Sequence, residues 1–163
     1  MPHVPGPAIC GTMKKFLAPF FLVASLALLA GCSSSNNITA GVKIGLTGLA
    51  RASDGSTRVS WRVINPNVIS YLVSQTTHRI YLNGVLIGTV IDREPLAVLP
   101  QAHSERTSPL ASAGPAADSA LAAAATAGSG AYRVESTIVV QLYGETTDKS
   151  NLTATGTVPV TAK

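Results

Sequence analysis

The chain has 163 residues, 12 Lys and Arg against 8 Asp and Glu, and a formal charge of +4. That length fits one domain with a real core and not two comfortable ones. Lys14 and Lys15 supply half of the excess, so from Cys32 onward ten basic residues stand against eight acidic ones. With the arginines scattered from Arg51 to Arg133 and aromatics at 5%, composition excludes a basic stacking platform for nucleic acid.

Residues 1–12 are rich in Pro and Gly and read as an over-long gene start, because Met13, directly before Lys14-Lys15, suits a secretion signal better than Met1. The positive pair, the apolar block of residues 16–30 and the small residues before Cys32 follow the order of such a signal. The block is about fifteen residues long and contains Pro19, whereas a helix crossing a bilayer needs roughly twenty apolar residues, which argues against a permanent span. Leu29-Ala30-Gly31-Cys32 resembles the bacterial lipobox. That resemblance implies cleavage before Cys32 and attachment of covalent acyl chains to its sulfur; a plain secreted protein with an incidental cysteine is the competing reading. Cys10 lies in the leader, so the mature domain keeps no thiol for a disulfide, a zinc site or nucleophilic catalysis. Ser33-Ser34-Ser35-Asn36-Asn37 reads as a flexible polar tether. The expected organisation is a leader and signal over 1–31, a tether over 32–40 and one domain over 41–163.

Val42, Ile44 and Leu46 alternate with Lys43, Gly45 and Thr47 as in a half-buried strand. The glycines there do not make a phosphate loop, since no Gly-Lys-Ser/Thr follows. Residues 57–63 alternate most cleanly, with Val59, Trp61 and Val63 on one face and Trp61 as the expected centre of the core. Asn65-Pro66-Asn67 ends the run in a turn or crossover, because proline lacks a ladder donor and asparagine satisfies backbone groups locally. An apolar stretch over 68–73 follows. Residues 78–82 and 85–90 flank Asn83-Gly84, a dipeptide whose two positions both accept positive φ, which predicts a two-residue hairpin.

Residues 96–99, between Pro95 and Pro100, read as a short extended segment. Half of residues 111–130 are alanine; this stretch is either a short helix over 119–127, capped by Asp118 and stopped by Gly128, or a low-complexity loop. Strands over 132–142 and 152–160 complete the chain, with Pro159 suited to a sheet edge. About seven strands and one short helix in an Ala-rich insertion predict an all-β fold, an antiparallel β-sandwich.

Chemistry-bearing constellations are sparse. Asp92 and Glu94, beside Arg93 and Pro95, read as solvated loop charges. His78, opening a strand, reads as a surface or edge residue; His103 could in principle orient Ser104 or pair with Glu105, but adjacent residues on an extended chain point to opposite faces, and no catalytic role is read there. Neither histidine has a second ligand at metal-binding spacing, so no catalytic residue, metal or cofactor is expected. The sequons at Asn37 and Asn151 carry no weight in a bacterial lipoprotein.

Residues 59–67, ending in Asn65-Pro66-Asn67, and residues 80–88, with Asn83-Gly84 after a strand, together resemble the water stress and hypersensitive response domain, or type 2 late embryogenesis abundant domain. The resemblance covers about Val42 to Val160, and the alanine-rich insert departs from it most. It implies an immunoglobulin-like or fibronectin-like sandwich with a small helix, without enzymatic activity, associated with desiccation and other stress. The five residues carry over as a structural signature. The expected protein is a monomer held by Cys32 on the periplasmic face of the outer membrane, contributing to stress tolerance through protein, lipid or membrane contacts. Two alternatives remain: a carrier of a lipid or apolar ligand in a cavity between sheets, and an assembly subunit that lends an edge strand to a partner.

Overall fold

The structure, a computed structural model, describes residues 39–142 and 146–162. The signal, Cys32 and the tether up to residue 38 lie outside the described residues. Nine strands and one helix are seen: β1 (Lys43–Arg51), β2 (Thr57–Asn65), β3 (Tyr71–Leu82), β4 (Val85–Asp92), β5 (Leu96–Val98), β6 (Ala102–Pro109), β7 (Ala111–Ser112), α1 (Pro115–Ala127), β8 (Ser129–Leu142) and β9 (Thr146–Ala162). The all-β fold with one helix stands as expected, with two more described strands than the seven read from the pattern.

The strands follow the order β6-β2-β1-β9-β8-β3-β4-β7, with β5 on β3. Every pairing is antiparallel but one. β9 runs antiparallel to β8 as far as Pro159, then parallel to β1 over Val160–Ala162. Pro159 thus sits where β9 hands over from one neighbour to the other, inside the strand order instead of at the expected edge; a residue without an N–H suits the break in pairing. β2 and β3 do not pair, yet Trp61 and His78 meet with ring centroids 4.7 Å apart. The β6-β2-β1 and β8-β3-β4 faces are therefore packed against each other, and the core lies between them.

β2 shows why the pattern was readable, since Thr57, Val59, Trp61, Val63 and Asn65 are all buried while Arg58 and Arg62 are exposed. Trp61 is 1% exposed, as expected of a core centre. Elsewhere the structure departs from the reading. The end of the stretch over 68–73, from Tyr71 on, and the strand at His78 belong to one twelve-residue strand, β3, with an irregularity between Val73 and Gln75 that the sequence hides, while residues 68–70 lie in the loop before it. A second irregularity, between Ile80 and Tyr81, pairs Tyr81 with Leu86, and the buried residues of β4 are Ile87, Gly88 and Val90 while Leu86 is half-buried. β6 was missed because its sequence, AHSERTSP, has no aliphatic alternation.

The alanine-rich insert is helical. α1 begins at Pro115, earlier than expected, with Gly114 at the N-cap and Asp118 inside the first turn, while Gly128 closes it in the left-handed conformation at φ 76°. Ala117, Leu121 and Ala124 form its buried stripe, which supplies the packing that so short a helix requires.

Candidate functional site

Asn65 is completely buried at the end of β2. Its Nδ2 donates to the carbonyls of Ile69 at 2.7 Å and Leu99 at 3.0 Å, and its Oδ1 accepts the N–H of Asn67 at 2.9 Å. Pro66 bridges this side-chain turn without wasting a donor. The N–H of Gln101 donates to the Asn67 carbonyl at 3.0 Å, so the loops before β3 and after β5 lie side by side. Asn67 then reaches the incoming chain, its Nδ2 donating to the Ala40 carbonyl at 2.9 Å. A side chain at Gly41, where φ is 78°, would come within 3.2 Å of the Pro66 ring. Thr39 is buried as well; its Oγ1 donates to Asp148 at 3.1 Å and is paired with Ser150. Thr39 and Ala40 are therefore fixed to the domain, although the sequence assigned them to the tether. The Asn65-Pro66-Asn67 corner fastens the point where the chain comes in.

Asn83-Gly84 lies at the opposite end of β3. Both residues take positive φ, 49° and 84°, and join Leu82 to Val85 in a two-residue turn. Asn83 also exchanges bonds with Ala131, its N–H donating at 2.7 Å and its Oδ1 accepting at 3.0 Å. The five signature residues are thus divided between two ends of the fold and form no common site.

A polar chain that the sequence did not disclose runs from the core to the surface. Trp61 Nε1 donates to Ser108 Oγ at 3.1 Å, and Ser108 donates to Asp92 Oδ2 at 2.7 Å. Asp92 Oδ1 accepts from Arg106 at 3.1 Å and from the Glu94 N–H at 2.9 Å. Arg106 in turn donates to the carbonyls of Glu94 at 2.7 Å and Pro95 at 3.0 Å. Asp92 is therefore not a solvated loop charge. Burial pushes its carboxyl up, but the Ser108 hydroxyl, the Glu94 N–H and the Arg106 guanidinium outweigh that and hold it below the ordinary value. Glu94 remains exposed and pairs with Arg106 at 3.6 Å. These groups border a polar cleft of about 450 Å3 between the end of β4 and β6, with Arg58 and Arg93 on its rim.

His78 is not at a surface or edge. It is fully buried against Trp61, its Nδ1 is 2.8 Å from Ser136 Oγ, and its Nε2 has no hydrogen-bond partner among the described residues. Burial lowers its pKa to about 4, against a smaller opposing pull from Asp92, so the ring is neutral at pH 7. His103 is exposed and pairs across β6 with Ile64. Among the described residues no three His, Cys, Asp or Glu side chains gather as a metal group. Trp61, Val63, Ile80, Leu82 and Val140 fill the core, each no more than 1% exposed, which counts against the carrier reading. The side chains of edge strand β6 are sewn to the preceding segment by Arg106 and by Ser104, which donates to the Ala97 carbonyl at 2.6 Å.

No protein-family model matches the chain, and no curated protein matches it. Among solved structures it is similar to a protein described as late embryogenesis abundant, with 11% identity, 88% of this chain and 86% of that chain covered, and a TM-score of 0.51. It also aligns with AT1g01470 from Arabidopsis thaliana, at 13% identity, 74% and 79% coverage and a TM-score of 0.48. A protein from Archaeoglobus fulgidus aligns at 17% identity, 73% and 94% coverage and a TM-score of 0.42. At these identities the first likeness speaks to fold alone: the chain has a late embryogenesis abundant-like β fold.

Proposed function

We propose that the protein is a lipid-anchored domain of the bacterial envelope, tethered through Cys32, that acts without catalysis through contacts with membrane or protein and contributes to tolerance of drying or osmotic stress. The observation that carries this reading is the lipobox-like Leu29-Ala30-Gly31-Cys32 followed after a few polar residues by a β domain. The late embryogenesis abundant-like fold agrees with the resemblance carried by Asn65-Pro66-Asn67 and Asn83-Gly84, and it is that resemblance which implies the stress part. The use of Asp92, Arg106 and Ser108 in internal bonds supports a binding module over an enzyme. With no aspartate following Cys32, the favoured position is the periplasmic face of the outer membrane. Two or more acyl chains, each buried methylene contributing about 0.8 kcal/mol, anchor stably without an apolar protein surface.

Survival of a deletion strain after drying and after osmotic shock tests the function. Loss of survival, restored by the wild-type gene and not by Cys32→Ala, is expected. Survival equal to the parent in both conditions overturns the stress role, and full rescue by Cys32→Ala overturns the need for an anchor.

A further inference from the structure

Among the described residues five large apolar side chains are exposed, and the two most open share one end of the domain: Val68 is 78% exposed and Leu99 63%. They occupy the two loops that the Asn65 corner binds together, Val68 next to Asn67 and Leu99 with its carbonyl on Asn65 Nδ2. The same corner holds Ala40, so both side chains stand at the end where the chain comes in from Cys32. From Cys32 to Thr39 is seven residues, at most about 25 Å of extended chain. Because Thr39 and Ala40 are fixed in the fold, an anchor at Cys32 pulls on this end and on no other.

We infer that the loops carrying Val68 and Leu99 rest on the lipid bilayer and insert these two side chains at the boundary between headgroups and acyl chains. The inference rests on the anchored reading of Cys32. Apolar tips of this size bind a membrane poorly by themselves, but a tether that short keeps them at the surface continuously, where a weak contact is enough to orient the domain. The Asn83-Gly84 hairpin, with Val85, then points into the aqueous phase, about 35 Å away along β3.

The test uses the full processed protein, purified with its acyl chains and reconstituted in vesicles of phosphatidylethanolamine and phosphatidylglycerol. Val68→Cys, Leu99→Cys and Val85→Cys each carry an environment-sensitive fluorophore on what is then the one free thiol. Flotation with the vesicles and intact mass report on the anchor separately. The expected result is a blue-shifted emission, quenched several-fold by spin-labelled lipid, at positions 68 and 99 and not at 85. Floating protein whose labels at 68 and 99 remain as aqueous as the one at 85 overturns the orientation while leaving the anchor intact. Protein that neither floats nor carries lipid overturns the anchor and the orientation with it. An apolar signal of equal size in the Cys32→Ala variants without vesicles assigns the patch to a second copy of the chain and also overturns the inference.

Discussion

Replacing Asn65 by alanine removes one side chain and leaves three backbone groups without their partners, the carbonyls of Ile69 and Leu99 and the N–H of Asn67. Each buried group so orphaned costs about 1–3 kcal/mol. Asn65 is fully buried, but its contacts with Ile69, Leu99 and Asn67 are each only partly so; water then relieves some of the loss, and the total is about 4 kcal/mol. At about 4 °C per kcal/mol for a domain of this size, the melting temperature falls by roughly 15 °C. Asn67→Ala is the control. Its Nδ2 bond to the Ala40 carbonyl is exposed and open to water, and its one further side-chain bond, to the Tyr71 hydroxyl, stands against three for Asn65, so the cost is smaller, about 1–2 kcal/mol. Urea titration followed by the fluorescence of Trp61, the single tryptophan, measures both. Equal losses in the two variants, or a loss under about 1 kcal/mol for Asn65→Ala, would refute the assignment of Asn65 as the tie of this corner.

Three further outcomes are expected. The His78 pKa falls from 6.5 in the unfolded chain to about 4 in the fold, so stability is full above pH 6.5 and is lost as pH falls towards 4, by on the order of 3 kcal/mol. The Asp92 carboxyl, held low by Ser108, Glu94 and Arg106, contributes its own loss only at still lower pH. His78→Phe should flatten the profile between pH 6.5 and 4, and an unchanged slope would show that another group titrates there. Ser108→Ala leaves the Trp61 N–H and an Asp92 oxygen unpaired and should cost about 2 kcal/mol, with a shift in Trp61 emission; unchanged stability and emission would break the proposed chain. Gly88→Ala would place its Cβ 2.2 Å from the Ala111 carbonyl. The displacement should loosen β7 from β4 and destabilise by about 1–3 kcal/mol, measured as faster hydrogen exchange confined first to β7 and α1.

Legibility followed side-chain chemistry. β2 and the Asn83-Gly84 hairpin were readable because alternating apolar residues and a positive-φ dipeptide determine them locally. β6 was not, since Ser104, Arg106 and Ser108 face inward through hydrogen bonds and leave no hydrophobic period. His78 carried a usable signal: period two puts it on the face of Ile80 and Leu82, both fully buried. Residue type outweighed position in that reading. The Asp92 network depends on pairing β6 with β2, which brings Ser108 beside Trp61 from 47 residues away, and no local pattern encodes such a meeting. The same holds for the corner: the sequence marks Asn65-Pro66-Asn67 as a turn, but only the folded chain shows that it holds Ala40 and aligns the Val68 and Leu99 loops.

Everything proposed about the membrane passes through one atom, the sulfur of Cys32. Intact-mass and N-terminal peptide analysis of the protein extracted from the membranes of its native host tests it directly. The account predicts a chain that starts at Cys32 and carries the mass of a thioether-linked diacylglyceryl group. A mature chain that starts elsewhere, or one in which Cys32 is a free thiol, would contradict it.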